Sequence, residues 1–185
     1  MPKQILRGAE ERIEKAVEAA MNDFAAIRTG RASPSLLDNI QIDYYGTKSP
    51  IKQVATITTP EPRLIVIQPW DKTIMKEIEK AITQSNLGLN PNSDKNVIRL
   101  TIPELTEERR KSLVKHVRQL AEDGRNVIRN VRRDANDALK KLEKAGKISE
   151  DSRYMNQERV QELTDEYIGE IDELLEIKEG ELMEV

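Results

Sequence analysis

TEERRKSLVKHVRQLAEDGRNVIRNVRRDANDALKKL, running from Thr106 to Leu142, decides how this chain folds. Leu113, Val117, Leu120, Gly124, Val127, Val131, Ala135, Ala138 and Leu142 recur at steps of three and four. That spacing predicts a single helix of about ten turns, roughly 55 Å long, with one apolar side that must be buried. At about 100° per residue, Lys111, Lys115, Arg118, Arg125, Arg129, Arg132, Arg133 and Lys140 fall within an arc of roughly 100° on the opposite side, diluted only by Glu122. A rod with a cationic ridge suits a phosphate backbone, and its arginines favour planar, bidentate phosphate contacts.

The same pattern admits a plainer reading, a solvated helix face laced by salt bridges. Neighbours such as Arg125, Arg129 and Arg132 would repel one another by a few tenths of a kcal/mol per pair without a compensating anion. That anion can be a bound polyanion, or it can be the acids of the last helix. The 185-residue chain carries 30 Lys and Arg against 33 Asp and Glu, a net charge of −3, so only the distribution of charge is informative. Nine bases stand against two acids from Arg109 to Arg133, whereas eleven acids stand against two bases from Gln157 to Val185. RNA contact, if made, belongs to one face. With few aromatics for stacking and no zinc ligands, structured RNA read by shape and backbone fits better than base readout.

Working outward, Ile5, Ala9, Ile13, Ala16, Val17, Ala20, Phe24 and Ile27 predict a first long helix over Pro2 to Arg28, with Pro2 suited to its first turn. It stops at Thr29-Gly30-Arg31-Ala32-Ser33-Pro34. After Gly146, Ser149 caps a last helix whose seam is Val160, Leu163, Tyr167, Ile171, Leu174, Lys178 and Leu182. Between the first two helices the period changes. Ile40, Ile42 and Tyr44 alternate before a turn at Tyr45-Gly46, Val54 to Thr58 and Leu64 to Ile67 are short strands around the Thr59 to Pro62 turn, and Val97 to Ile102 is another. One helix, Asp71 to Ser85, interrupts them, with Asp71 as its cap, and Asn86 to Asn92 is a loop.

The expected fold class is therefore α+β: a three-helix bundle, residues 1–30 with 105–185, and an inserted small β/α/β domain, residues 31–104. The two connections, Thr29-Gly30-Arg31 and Pro103-Glu104-Leu105, form either a hinge or a fixed junction packed by Leu105 and Ile27.

Enzyme chemistry is hard to find. With no cysteine and the lone His116, thiolate and multi-histidine metal sites are excluded, and His116 reads as a bundle-edge residue. No phosphate-loop or dinucleotide glycine spacing occurs, and Asp43, Asp71 and Asp94 read as capping or solvated acids. No catalytic residue, cofactor or metal is expected. The N-terminus has no signal-like run and nothing approaches 18 apolar residues, so the chain reads as soluble, cytoplasmic and free of membrane contact.

Five stretches together resemble one family: Ile27-Arg28-Thr29-Gly30-Arg31-Ala32-Ser33-Pro34, Asp43-Tyr44-Tyr45-Gly46, Leu87-Gly88-Leu89-Asn90-Pro91-Asn92, Leu105-Thr106-Glu107-Glu108-Arg109-Arg110-Lys111, and Asn130-Val131-Arg132-Arg133-Asp134-Ala135-Asn136. Across essentially its whole length the chain resembles bacterial ribosome recycling factors. The resemblance implies an L-shaped monomer of tRNA-like dimensions, with the inserted domain on a flexible two-strand hinge. It implies binding across the A and P sites of the post-termination ribosome, followed by subunit separation driven by elongation factor G and GTP, which leaves this chain without catalysis of its own. It also implies that Arg110, Arg129 and Arg132, on or beside the ridge, touch large-subunit rRNA, and that the inserted domain meets elongation factor G. The candidate RNA-binding set is Arg110, Arg118, Arg125, Arg129, Arg132 and Arg133. A helical adaptor for protein partners, never touching RNA, is the alternative.

Overall fold

The computed structural model describes residues 1–184, and the chain divides into two compact units, residues 1–28 with 107–184 and residues 29–106. The fold is α+β, mostly helical.

The first unit is three long helices, α1 (Pro2–Ala26), α3 (Glu107–Lys144) and α4 (Glu150–Met183), each packed on the other two. Ala9, Ile13, Val17, Ala20 and Phe24 of α1 are buried. On α3 the buried set is Leu113, Val117, Ala121, Ile128, Val131, Ala135 and Leu139. This corrects the expected stripe over its middle and end: Leu120, Gly124, Ala138 and Leu142 are only half-buried and Val127 is 47% exposed. The reason is that α3 serves two neighbours, so its buried strip follows the 3.6-residue helical period over ten turns, not one seam drawn from Leu113.

Acids Glu107 and Glu108 in the first turn of α3 and Lys141 and Lys144 in its last complement the helix dipole. The helix closes where Gly146, at φ +67°, donates its N–H to Glu143 O at 2.8 Å while Lys147 N donates to Leu142 O at 2.9 Å. That pair of bonds needs a left-handed residue, which glycine adopts without a Cβ clash. Ser149 then caps α4, its Oγ accepting from Ser152 N at 3.2 Å. Midway along the bundle the three helices pinch together at Gly124, where an added Cβ would lie 3.0 Å from Ile171 Cδ1 and 3.6 Å from Ala20 Cβ.

The second unit holds a hairpin, β1 (Gln41–Tyr44) with β2 (Thr47–Pro50), turned by Tyr45 and Gly46 at φ +50° and +80°. A four-stranded antiparallel sheet follows, in the order β3 (Ala55–Glu61), β4 (Leu64–Pro69), β6 (Ile98–Thr101), β5 (Pro91–Ser93). Cross-strand pairs Ile65 with Leu100 and Ile67 with Ile98 place large aliphatics on one face. Against this core lie Ile78 and Ile82 of α2 (Met75–Gln84), entered through a 3-10 turn that Asp71 caps by accepting from Thr73 N. Strands β2 and β5 are additions to the expected set, and the Thr59-Pro60-Glu61 segment, expected as a turn, extends β3.

Candidate nucleic-acid interface

The exposed side of α3 is divided, not uniform. Arg118, Arg125 and Arg132 are seven residues apart, so they recur at nearly the same angle on the helix and form one edge. That edge faces α4. Arg118 Nε donates to Glu179 Oε1, and its pKa is raised by that hydrogen bond and by the Glu179 charge. Seven residues on, Arg125 Nη2 lies 2.5 Å from Asp172 Oδ1 and Nη1 donates to Glu122 Oε2 at 2.9 Å. Only 19% of the Arg125 side chain is exposed. Burial acts against its charge, but the bonds to Asp172 and Glu122 outweigh burial and raise its pKa. A further seven on, Arg132 Nη1 donates to the neutral Gln161 Oε1 at 3.1 Å.

Arg129 stays on its own helix, donating to Glu122 Oε1 at 2.7 Å and to Asn126 Oδ1 at 3.1 Å. Glu122 thus spans two arginines, and the hydrogen bonds from Arg129 and then Arg125 hold its carboxyl below the usual carboxylate range. Lys111 is paired with Glu107 at 2.7 Å. Exposed Lys115, Arg133 and Lys140 have no carboxylate at ion-pair distance among the described residues.

One expectation changes. The ridge is not left uncompensated: Glu179 and Asp172 of α4 neutralise Arg118 and Arg125, the outcome in which the last helix supplies acids, while Glu122 of α3 itself neutralises Arg129. Arg110 lies beside the ridge and not on it, lining one surface depression with Lys111, Lys115 and Arg118. It is one turn before Leu113 and Val114, half-buried, with its Nε buried, because its helical angle falls within the apolar side. His116 is exposed, next to the buried Val117.

Of the connecting residues, Gly30 has φ +76°, Arg31, Pro103 and Glu104 are exposed, and Thr29 and Leu105 are half-buried. Beside them one turn holds both chain segments of the second unit: Ala32 N donates to Pro62 O at 2.7 Å, Ile102 N to Arg63 O at 2.8 Å, and Arg63 pairs with Glu104 at 2.7 Å. Residues Gln161, Asp172 and Glu179 were missed as named participants. Their signal in the sequence is a recurrence at seven-residue spacing on α4 that mirrors the arginines, visible for Asp172 and Glu179 once the two helices are set antiparallel. No described helix is long and apolar enough to cross a membrane, and no described group of three or more acids or histidines comes together as a metal site.

The sequence profile of the family described as ribosome recycling factor matches residues 20–183. The ribosome-recycling factor of Halothermothrix orenii is 55% identical over 185 residues, the full length of both chains, and that of Bacillus pumilus is 54% identical over the same span. A solution structure of a ribosome recycling factor is 47% identical, with 100% of this chain and 98% of that one covered and a TM-score of 0.77. A chain of the Thermus thermophilus ribosome recycling factor and Escherichia coli elongation factor G bound to the E. coli post-termination complex is 45% identical, with 99% of each chain covered and a TM-score of 0.65. On this full-length agreement in sequence and fold, the chain belongs to the ribosome recycling factor family.

Proposed function

We propose that this chain binds the post-termination ribosome and, with elongation factor G and GTP, promotes its disassembly into subunits for reuse. The carrying observation is the outer side of α3, where Lys115, Arg133 and Lys140 present charge to solvent beside Arg132, whose partner is uncharged. Such cations release counterions from an RNA backbone without first breaking an internal ion pair. Arg132 and Arg133 form the main contact set, and Arg129 joins it by exchanging its bond to Glu122 for a phosphate. Arg118, 65% exposed although paired, adds field at one end with Arg110, and Arg125 chiefly holds α3 to α4. The chain acts in the cytoplasm as a binding factor, and the GTP hydrolysis belongs to its partner. Thr29-Gly30-Arg31 and Pro103-Glu104-Leu105 serve as a hinge that transmits the partner's movement to the bundle.

Arg132→Ala tests the reading. Ribosome co-sedimentation across a salt titration is expected to show weaker binding and a log–log salt slope smaller by about one, with unchanged thermal unfolding. Unaltered affinity at every salt concentration overturns the assignment. A crosslink across the two connections is expected to spare binding and abolish subunit splitting, and a crosslinked protein that still splits ribosomes removes the hinge.

A further inference from the structure

The seven-residue step that joins Arg118 to Glu179 and Arg125 to Asp172 runs antiparallel along α4, so the same register places Asp165 opposite Arg132. The third rung is nevertheless not an ion pair. Gln161, one turn before Asp165 on α4, stands between them: its Nε2 donates to Asp165 Oδ1 at 2.8 Å and its Oε1 accepts from Arg132 Nη1 at 3.1 Å. A carboxamide can do this because it carries a donor and an acceptor on one carbon, which no carboxylate or aliphatic side chain offers. Among the described residues Arg132 has no carboxylate at ion-pair distance, and it is the one arginine of this edge for which that is true.

We propose that Gln161 is a positioning residue for RNA binding: it occupies Asp165, fixes the Arg132 guanidinium by a neutral hydrogen bond, and so leaves the full Arg132 charge for a phosphate. The proposal rests on the reading that Arg132 contacts ribosomal RNA. Without Gln161, Arg132 turns to Asp165 as its two neighbours on the edge turn to Asp172 and Glu179, and the phosphate must compete with that carboxylate. The proposal separates two kinds of arginine on a single edge, two that lock the bundle and one held ready for an external anion.

The test uses the full chain and ribosome co-sedimentation at two salt concentrations, with Gln161→Ala, Arg132→Ala, both together, and Gln161→Ala with Asp165→Asn. Gln161→Ala is expected to weaken binding about two- to fivefold, the range open to an exposed ion pair competing for one guanidinium. Asp165→Asn is expected to restore affinity in the Gln161→Ala background, and Gln161→Ala is expected to add nothing once Arg132 is alanine. A crystal structure of Gln161→Ala is expected to show the Arg132 guanidinium on Asp165. Loss that persists without Arg132, or that Asp165→Asn fails to rescue, overturns the positioning role while leaving the RNA contact intact. If Arg132→Ala itself binds like wild type, the RNA reading falls and this proposal falls with it.

Discussion

Arg125 and Arg133 lie eight residues apart on one helix, and they are expected to fail in opposite ways when cut to alanine. Arg125 reaches Asp172 and Glu122 with four-fifths of its side chain covered, and those partners are 52% and 43% exposed. Each pair, being open to solvent on the acid side, contributes up to about 1 kcal/mol. The covered stem adds packing that cannot exceed about 0.8 kcal/mol per methylene. Together these put Arg125→Ala at about 2 kcal/mol of lost stability, which in a chain of this size lowers the midpoint of unfolding by roughly 4–8 °C. Arg133 is exposed and has no ion-pair partner among the described residues, so Arg133→Ala is expected to melt with the wild type. On ribosomes the order reverses, with Arg133→Ala losing affinity and about one unit of salt slope. Thermal unfolding by far-ultraviolet circular dichroism and co-sedimentation at several salt concentrations measure the two effects on the same samples. Should Arg125→Ala melt unchanged, or Arg133→Ala melt early and bind normally, the division of α3 into a locking edge and a contact face is refuted.

Ile128 is fully buried midway along α3, so Ile128→Ala is expected to cost about 2–5 kcal/mol in denaturant unfolding, whereas Val127→Ala, one position away and 47% exposed, costs far less; equal effects would restore the stripe expected from spacing alone. Glu122 has a carboxyl pKa below its unfolded value, so its ionised form stabilises the fold above the unfolded pKa and that contribution is lost as pH falls through the folded one. Wild type and Glu122→Gln should therefore differ in denaturation midpoint near neutral pH and converge in acid, and a gap that stays constant would show that the carboxylate pairs with neither arginine. Gly146→Ala meets no neighbour but must hold φ +67°, so a loss of about 1–2 kcal/mol is expected, and an unchanged midpoint would show that the α3 end can relax to another closure.

The helices were legible because their information is local. Pro2 at the start of α1, the paired acids after Thr106, the glycine at 146 and the Ser149 cap each mark a terminus within one turn of where it falls. The α+β class followed from the change of period between Ile40 and Ile102. Strands β2 and β5 were not legible because Thr47–Pro50 and Pro91–Ser93 carry no apolar alternation; backbone pairing to β1 and β6 makes them strands. The positions Ala121, Ile128 and Leu139 escaped because a stripe drawn from Leu113 assumes one partner helix, and α3 has two. Within the cationic side, residue types and spacing identified the arginines, but which of them meet carboxylates depends on how α4 is set along α3. Periodicity within either helix leaves that offset undetermined, so Asp172, Glu179 and Gln161 could not be assigned in advance. Arg110 was added by likeness to a family motif, and its helical angle places it among the apolar positions that border the ridge.

The pinch at Gly124 falls at the same level of the bundle as the Arg125 pair. A Cβ there would meet Ile171 at 3.0 Å, one residue before Asp172, so that close approach and the Arg125 pair occupy consecutive positions on both helices. Gly124 thus ties the interior fit of the bundle to its outer pairing. A side chain there would press first on the movable end of Ile171, and whatever displacement of α4 it forced would reach the Arg125–Asp172 pair one residue on, so a steric substitution in the interior can be read in the electrostatics outside.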